Sequence, residues 1–134
     1  MREVSASRFV RATPATLERA LTPPTIVDYE GSFEVRESRE TEDGWVVLAE
    51  GGGMTVELAF ESLEDGFAYE QRSGPLETSV TTLRWHAEND GSRVRTDATL
   101  SMGLPLKAVT DRIAAWKRRG ELRHALDRLA ADVE

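Results

Sequence analysis

Apolar and polar positions change period twice along this chain. Residues 2–12, REVSASRFVRA, alternate, with Val4, Ala6, Val10 and Ala12 on one face, which predicts an opening strand. Thr13 followed by Pro14 then reads as an N-cap and first helical position, and PATLERAL sets Leu17, Ala20 and Leu21 along one side of a short helix. Thr22-Pro23 repeats the signal, so PPTIVDYE predicts a second short helix or turn, closed by Gly31.

From Ser32 the period becomes two. Punctuation at Asp43-Gly44, Gly51–Gly53, Asp65-Gly66, Gly74-Pro75 and Asp90-Gly91 separates six strands, over 32–41, 45–50, 54–62, 67–72, 77–88 and 92–103. Asp-Gly pairs tolerate the positive φ angles of tight hairpin turns, so consecutive strands are expected to pair antiparallel as a meander. With the opening strand the sheet has seven.

Residues 105–133 predict one long helix, with Pro105 in its first turn and Leu106, Val109, Ile113 and Trp116 at 3-4-3 spacing. A second stripe of Leu122, Leu126, Leu129 and Val133 runs at 4-3-4. At 100° per residue, Leu126 lies about 140° around the axis from Ile113. Gly120 falls between the stripes, so a kink, or a helix apolar around much of its girth, is expected there. An antiparallel sheet with one apolar face needs a cover, and the element long enough is this helix, about 43 Å at 1.5 Å per residue. The fold class is therefore α+β: a curled seven-stranded antiparallel sheet around a long C-terminal helix, with two short helices between strands 1 and 2 plugging one end. No repeat, low-complexity run or linker interrupts it, so residues 1–134 are expected to form a single domain.

Composition removes several chemistries. A chain of 134 residues can bury about two-thirds of its unfolded surface, and it contains no cysteine, which excludes disulfides, thiolate nucleophiles and cysteine-ligated zinc. The first twenty residues carry no signal-peptide core and no apolar run is long enough to insert in a membrane, so a cytoplasmic protein is expected. A net charge of −7 argues against nucleic acid as a partner. The cations are 15 arginines and 2 lysines, a bias that fits either a salt-accumulating organism or Arg-favouring codon usage.

The segments RFVRATPATLERALTPPT and TTLRWHAENDGSRVRTDATLSMGLP carry a resemblance. The first is similar to the opening of the START-like or SRPBCC superfamily, a strand running into a proline-marked helix pair. The second is similar to its closing hairpin, which passes through glycine and proline into the last helix. The whole chain resembles the helix-grip fold of that superfamily, whose members include polyketide cyclase/dehydrase-like proteins, lipid-transfer domains and coenzyme Q-binding proteins. The resemblance implies a cavity between curled sheet and long helix, open to small apolar molecules.

Strand parity then gives the inner face. It carries Met54, Val56, Leu58 and Phe60, then Phe67, Tyr69 and Gln71, then Leu83 and Trp85. The last strand adds Val94, Thr96, Ala98, Leu100 and Met102, and Val109, Ile113 and Trp116 of the helix are expected to close the space. A dry cavity of about 300 Å³ would cost about 7 kcal/mol, against a total stability of roughly 7–20 kcal/mol for this length. Either the space holds ligand or water, or Trp45, Trp85, Trp116 and the four phenylalanines fill it.

Among polar candidates, Gln71 and Thr96 on the inner face each need a partner, and Tyr69 joins an apolar body to a hydroxyl tip. Arg8 shares the parity of Val4 and Ala6, so it would anchor a carboxylate or pair with Glu37; a one-residue slip would put Phe9 inside instead. His86 shares parity with Arg84 and Thr82 and is expected in solvent. It is too far from His124 to suggest a metal, and no cofactor is expected. The carboxylates from Glu40 to Asp43 sit at a turn, the Gly51–Gly53 run suits a hairpin loop, and no nucleophile-elbow or phosphate-loop motif occurs.

Residues 105–134 hold 7 basic and 5 acidic side chains, a net of +2, leaving −9 for the rest. The expected partner is a small hydrophobic molecule: a lipid, isoprenoid quinone or polyketide carried without chemistry. A cyclase/dehydratase-like enzyme is the alternative, with Tyr69, Gln71 or Arg8 polarising a carbonyl. A third reading is a protein-interaction module using the basic KRRGELRHALDR segment, in which Arg118 and Arg119 would capture the partner.

Overall fold

The computed structural model describes residues 2–73, 78–101 and 107–134, with the side chains of Thr78 and of residues 107–110 also outside the description. The elements are β1 (Arg2–Val10), α1 (Pro14–Ala20), α2 (Pro23–Glu30), β2 (Glu34–Glu40), β3 (Gly44–Gly51), β4 (Met54–Leu63), β5 (Gly66–Ser73), β6 (Thr78–Glu88), β7 (Gly91–Ser101) and α3 (Lys107–Val133). The expected strand residues Met102 and Gly103, the helix residues Pro105 and Leu106, and the side chain of Val109 lie outside the described residues.

β1 stops before Ala12, whose amide turns back to donate to the Val10 carbonyl at 2.9 Å. The hydroxyls of Thr13 and Thr22 accept from the amides of Thr16 and Thr25 at 3.2 and 3.4 Å. Each thus satisfies an amide that has no partner within the helix it begins, and a proline occupies each first turn. α2 ends because Gly31 adopts φ +83°, a left-handed conformation, and donates its N–H to the Asp28 carbonyl at 3.1 Å.

The strands form one antiparallel sheet in the order β1-β7-β6-β5-β4-β3-β2. The meander pairs each hairpin with the next, and β1 returns to lie beside β7. One row of paired positions crosses the sheet from Val4 through Ala98, Thr81, Tyr69 and Phe60 to Trp45, all on the inner face. Register shifts between Val35 and Glu37 in β2, and between Glu57 and Leu58 in β4, bend the strands there. β1 and β2 are opposite edges, so Arg8 cannot pair with Glu37. It reaches instead to Asp127 of α3 at 2.6 Å, a correction to the sequence expectation that leaves the inward parity of Arg8 intact.

α3 runs unbroken through Gly120 and packs against β1, β7 and α2. Its buried line is Asp111, Ala115, Arg118, Leu122, Leu126 and Leu129, with spacings of four and three throughout. That line is the second apolar stripe extended backwards, and it leaves Ile113 and Trp116 of the first stripe off the buried line. Ile113 is 63% exposed and Trp116 76% exposed, so the expectation that Trp116 closes the inner space is corrected. The offset of about 140° between stripes is the physical reason: a straight helix can turn only one of them inward. The main core joins Leu17, Ile26 and Val27 of the short helices to Val47, Val56 and Phe60 of the sheet and to Leu126 and Leu129 of α3.

Candidate functional site

Between the inner face of the sheet, α2 and α3 lies a cavity of about 340 Å³. β4 contributes Met54, Val56 and Leu58, and β5 contributes Tyr69 and Gln71. Val27 and Phe33 extend the apolar wall from the segment around α2. α3 contributes Ile113 and Ala114 on the apolar side, and Lys117, Arg118 and Glu121 on the polar side. Left dry, this volume would cost about 8 kcal/mol, comparable to the whole stability of a chain this long. Among the described residues no side chain fills the space, and the cost favours occupation by solvent or solute.

Of the candidate residues, Met54, Val56, Leu58, Tyr69, Gln71 and Ile113 line this cavity. Leu83 and Thr96 lie deeper, around a second void of about 20 Å³ that also touches Glu30 and Tyr69 and has room for one water. The Thr96 hydroxyl is buried there without a partner among the described residues. Trp85 packs in the main core near Phe67, at 6.3 Å between ring centroids. Ala98 and Leu100 pack with Val4, Ala115 and Leu122 in a separate cluster under the other end of α3. None of these three lines the cavity, and nor does Trp116.

The polar wall is built on Arg118 and Glu30. Arg118 Nη1 donates to Glu30 Oε1 at 2.5 Å and Nη2 to Oε2 at 3.3 Å, closing a two-pronged ion pair. Nη2 also donates to Thr81 Oγ1 at 2.8 Å and to the Tyr69 hydroxyl at 3.1 Å, while that hydroxyl donates to Glu30 Oε2. Glu121 completes the group at 3.4 Å from Nη1. Tyr69 is fixed from its other side by stacking on Phe60, with centroids 4.4 Å apart and planes inclined by 13°.

Burial and then the adjacent Glu30 carboxylate push the Tyr69 phenol well above its usual value, so it stays a neutral donor. Burial alone would favour a neutral guanidine at Arg118. Glu30, Tyr69 and Glu121 outweigh that penalty and hold Arg118 protonated, well above the ordinary arginine value.

Sequence reasoning missed Glu30, Thr81 and Glu121, and set Arg118 on a partner-binding surface instead of in the cavity wall. Thr81 shares the parity of Leu83 and Trp85, and Arg118 lies four residues before Leu122 on the same stripe. Both signals were present, but both residues are polar. Because Arg118 is internal, it cannot serve as the surface anchor of the interaction reading. His86 and His124 are solvent-exposed, and among the described residues no cluster of His, Cys, Asp or Glu is arranged to hold a metal. Among them, too, no helix is long and apolar enough to cross a membrane.

A curled antiparallel meander clasping a terminal helix over such a cavity defines a START-like, helix-grip protein. A family model described as polyketide cyclase / dehydrase and lipid transport matches residues 1–134, and the chain belongs to that family. A START superfamily protein from Mycobacterium smegmatis superposes with a TM-score of 0.74 at 12% identity, covering 98% of this chain and 99% of that one. The protein XoxI from Bacillus cereus gives 0.77 at 17% identity, with 99% and 96% covered. The di-domain ARO/CYC BexL, from the BE-7585A biosynthetic pathway, gives 0.64 at 15% identity over 94% of this chain and 49% of that one. At these identities the likeness is one of fold. No curated protein matches the chain.

Proposed function

We propose that this protein binds a small amphipathic molecule, with its apolar body against Val56, Leu58 and Phe33 and its polar end at the Glu30–Arg118–Tyr69 wall. The observation that carries the reading is the cavity of about 340 Å³ with the buried Arg118 ion-paired to Glu30 and Glu121 at one end of an otherwise largely apolar lining. A cavity of about 150 Å³ accepts benzene, so this one has room for roughly a two-ring body or a folded chain of similar bulk. Lipids, isoprenoid quinones and polyketides all offer such a body with oxygen at one end, and the family's description includes both lipid transport and polyketide chemistry.

Native mass spectrometry of gently purified protein tests the reading. A co-purifying small molecule, or saturable uptake of an apolar fluorophore displaced by such a molecule, is the expected result. Bare protein with no saturable uptake would remove the reading.

A cyclase/dehydratase activity is the second reading, and it rests on a separate observation: Arg118 Nε is buried without a partner among the described residues and could polarise a bound carbonyl, with Tyr69 holding the guanidinium in place. Arg8 takes no part, since it pairs with Asp127 away from the cavity. Turnover of a synthetic poly-ketone that falls in Tyr69→Phe with little change in KM would support this activity. A poly-ketone that binds and is returned unchanged would leave binding alone.

A further inference from the structure

The polar wall also bears on which head group the cavity takes, a point that rests on the binding reading above. We infer that the cavity selects molecules ending in a neutral or cationic hydrogen-bond donor, such as an alcohol, phenol or amine, and rejects those ending in a carboxylate.

A buried arginine in an apolar cavity would ordinarily suggest an acid-ended ligand. Here its donors are already committed. Nη1 faces Glu30 at 2.5 Å and Glu121 at 3.4 Å, and Nη2 faces Thr81, Tyr69 and Glu30 at 2.8, 3.1 and 3.3 Å. Only Nε is buried without a partner among the described residues. From Arg118 an incoming carboxylate would gain that single N–H while entering beside two existing carboxylates.

Charge points the same way. The side chains of Arg118, Glu30 and Glu121 are 9%, 10% and 14% exposed, so the buried part of the wall carries one positive and two negative charges. Lys117 lines the cavity too, but it is solvent-exposed, and water and salt screen it. Glu121 is the less engaged of the two carboxylates: its ion pair with Arg118 is long, whereas Glu30 accepts from Tyr69 and from both Nη atoms. A ligand hydroxyl or ammonium reaching Glu121 forms a charge-assisted hydrogen bond and offsets the excess negative charge.

Three probes with one apolar body, decanol, decylammonium and decanoate, test this by titration calorimetry on the full chain at neutral pH. Ala114→Phe, which projects a ring into the cavity, corrects for uptake at the acidic surface. Decanol and decylammonium are expected to bind at least about ten-fold more tightly than decanoate, a ratio within reach of one uncompensated charge at this depth. In Glu121→Gln the gap is expected to shrink to within about three-fold. Decanoate binding as tightly as the others, or a gap that survives in Glu121→Gln, would overturn the inference while leaving cavity binding intact. Failure of all three to bind would remove the binding reading and the preference together.

Discussion

Arg118 of α3 and Glu30, the last residue of α2, stand 88 positions apart in sequence and meet at 2.5 Å as a buried ion pair. The pair ties the gripped helix to the plug at the end of the sheet, and Thr81 and Tyr69 tie it to the sheet itself. Removing one partner strands the other charge away from water. Arg118→Met is expected to cost about 3–5 kcal/mol in urea denaturation, and Glu30→Gln added to it to recover a substantial part of that loss. A wild-type unfolding midpoint for Arg118→Met would show that the pair holds nothing together.

Tyr29 and Tyr69 are the protein's two tyrosines, and the pKa of each is raised in the fold. Burial leads at Tyr29, joined by the Asp132 carboxylate, and together they push the phenol up to about 12 from an ordinary 10.0. The unfolded chain releases these protons near 10.0 while the folded chain retains them, so stability is full below that pH and falls as pH rises above it. For Tyr29 alone the loss reaches about 2 kcal/mol by the time the pH meets its folded pKa. Absorbance near 295 nm is the check: no phenolate signal with a midpoint at the ordinary value is expected while circular dichroism remains native. Tyr69→Phe is expected to flatten the alkaline fall in stability.

How much of this was legible depends on the element. In the sheet, period-two alternation names the inner face regardless of curvature, so Val56, Leu58, Phe60 and Tyr69 could be placed before the strand order was known. The terminal helix offered two apolar stripes and no local reason to prefer either. The choice is made by α2, β1 and β7, which pack against it, and by Glu30, which compensates Arg118 and lets a charged residue occupy the buried line. Arg8 failed for a topological reason: its partner follows from which strand lies at which edge, and Asp127 is 119 residues away.

Trp116 gives a direct measure of that helix rotation. Trp85 is buried and Trp45 half-buried, so the outward-facing Trp116 is expected to dominate quenching of tryptophan fluorescence by iodide. Trp116→Gln is expected to remove most of the quenchable emission and to change stability by less than about 0.5 kcal/mol. Loss of several kcal/mol would place the ring in the core and reverse the assignment of the buried stripe.

Ala114 lines the cavity from α3, one position along from the buried Ala115. A phenyl ring there has space to enter that no backbone must vacate, unlike a larger residue at Val56, which is already packed within the core. Ala114→Phe is therefore expected to lower affinity for an apolar fluorophore by more than about ten-fold while leaving the urea midpoint unchanged or higher, because filling a void removes part of its cost. The two readouts must move separately. Stability lost together with binding would mean that the ring met side chains instead of open volume, and the cavity would then be smaller than about 340 Å³.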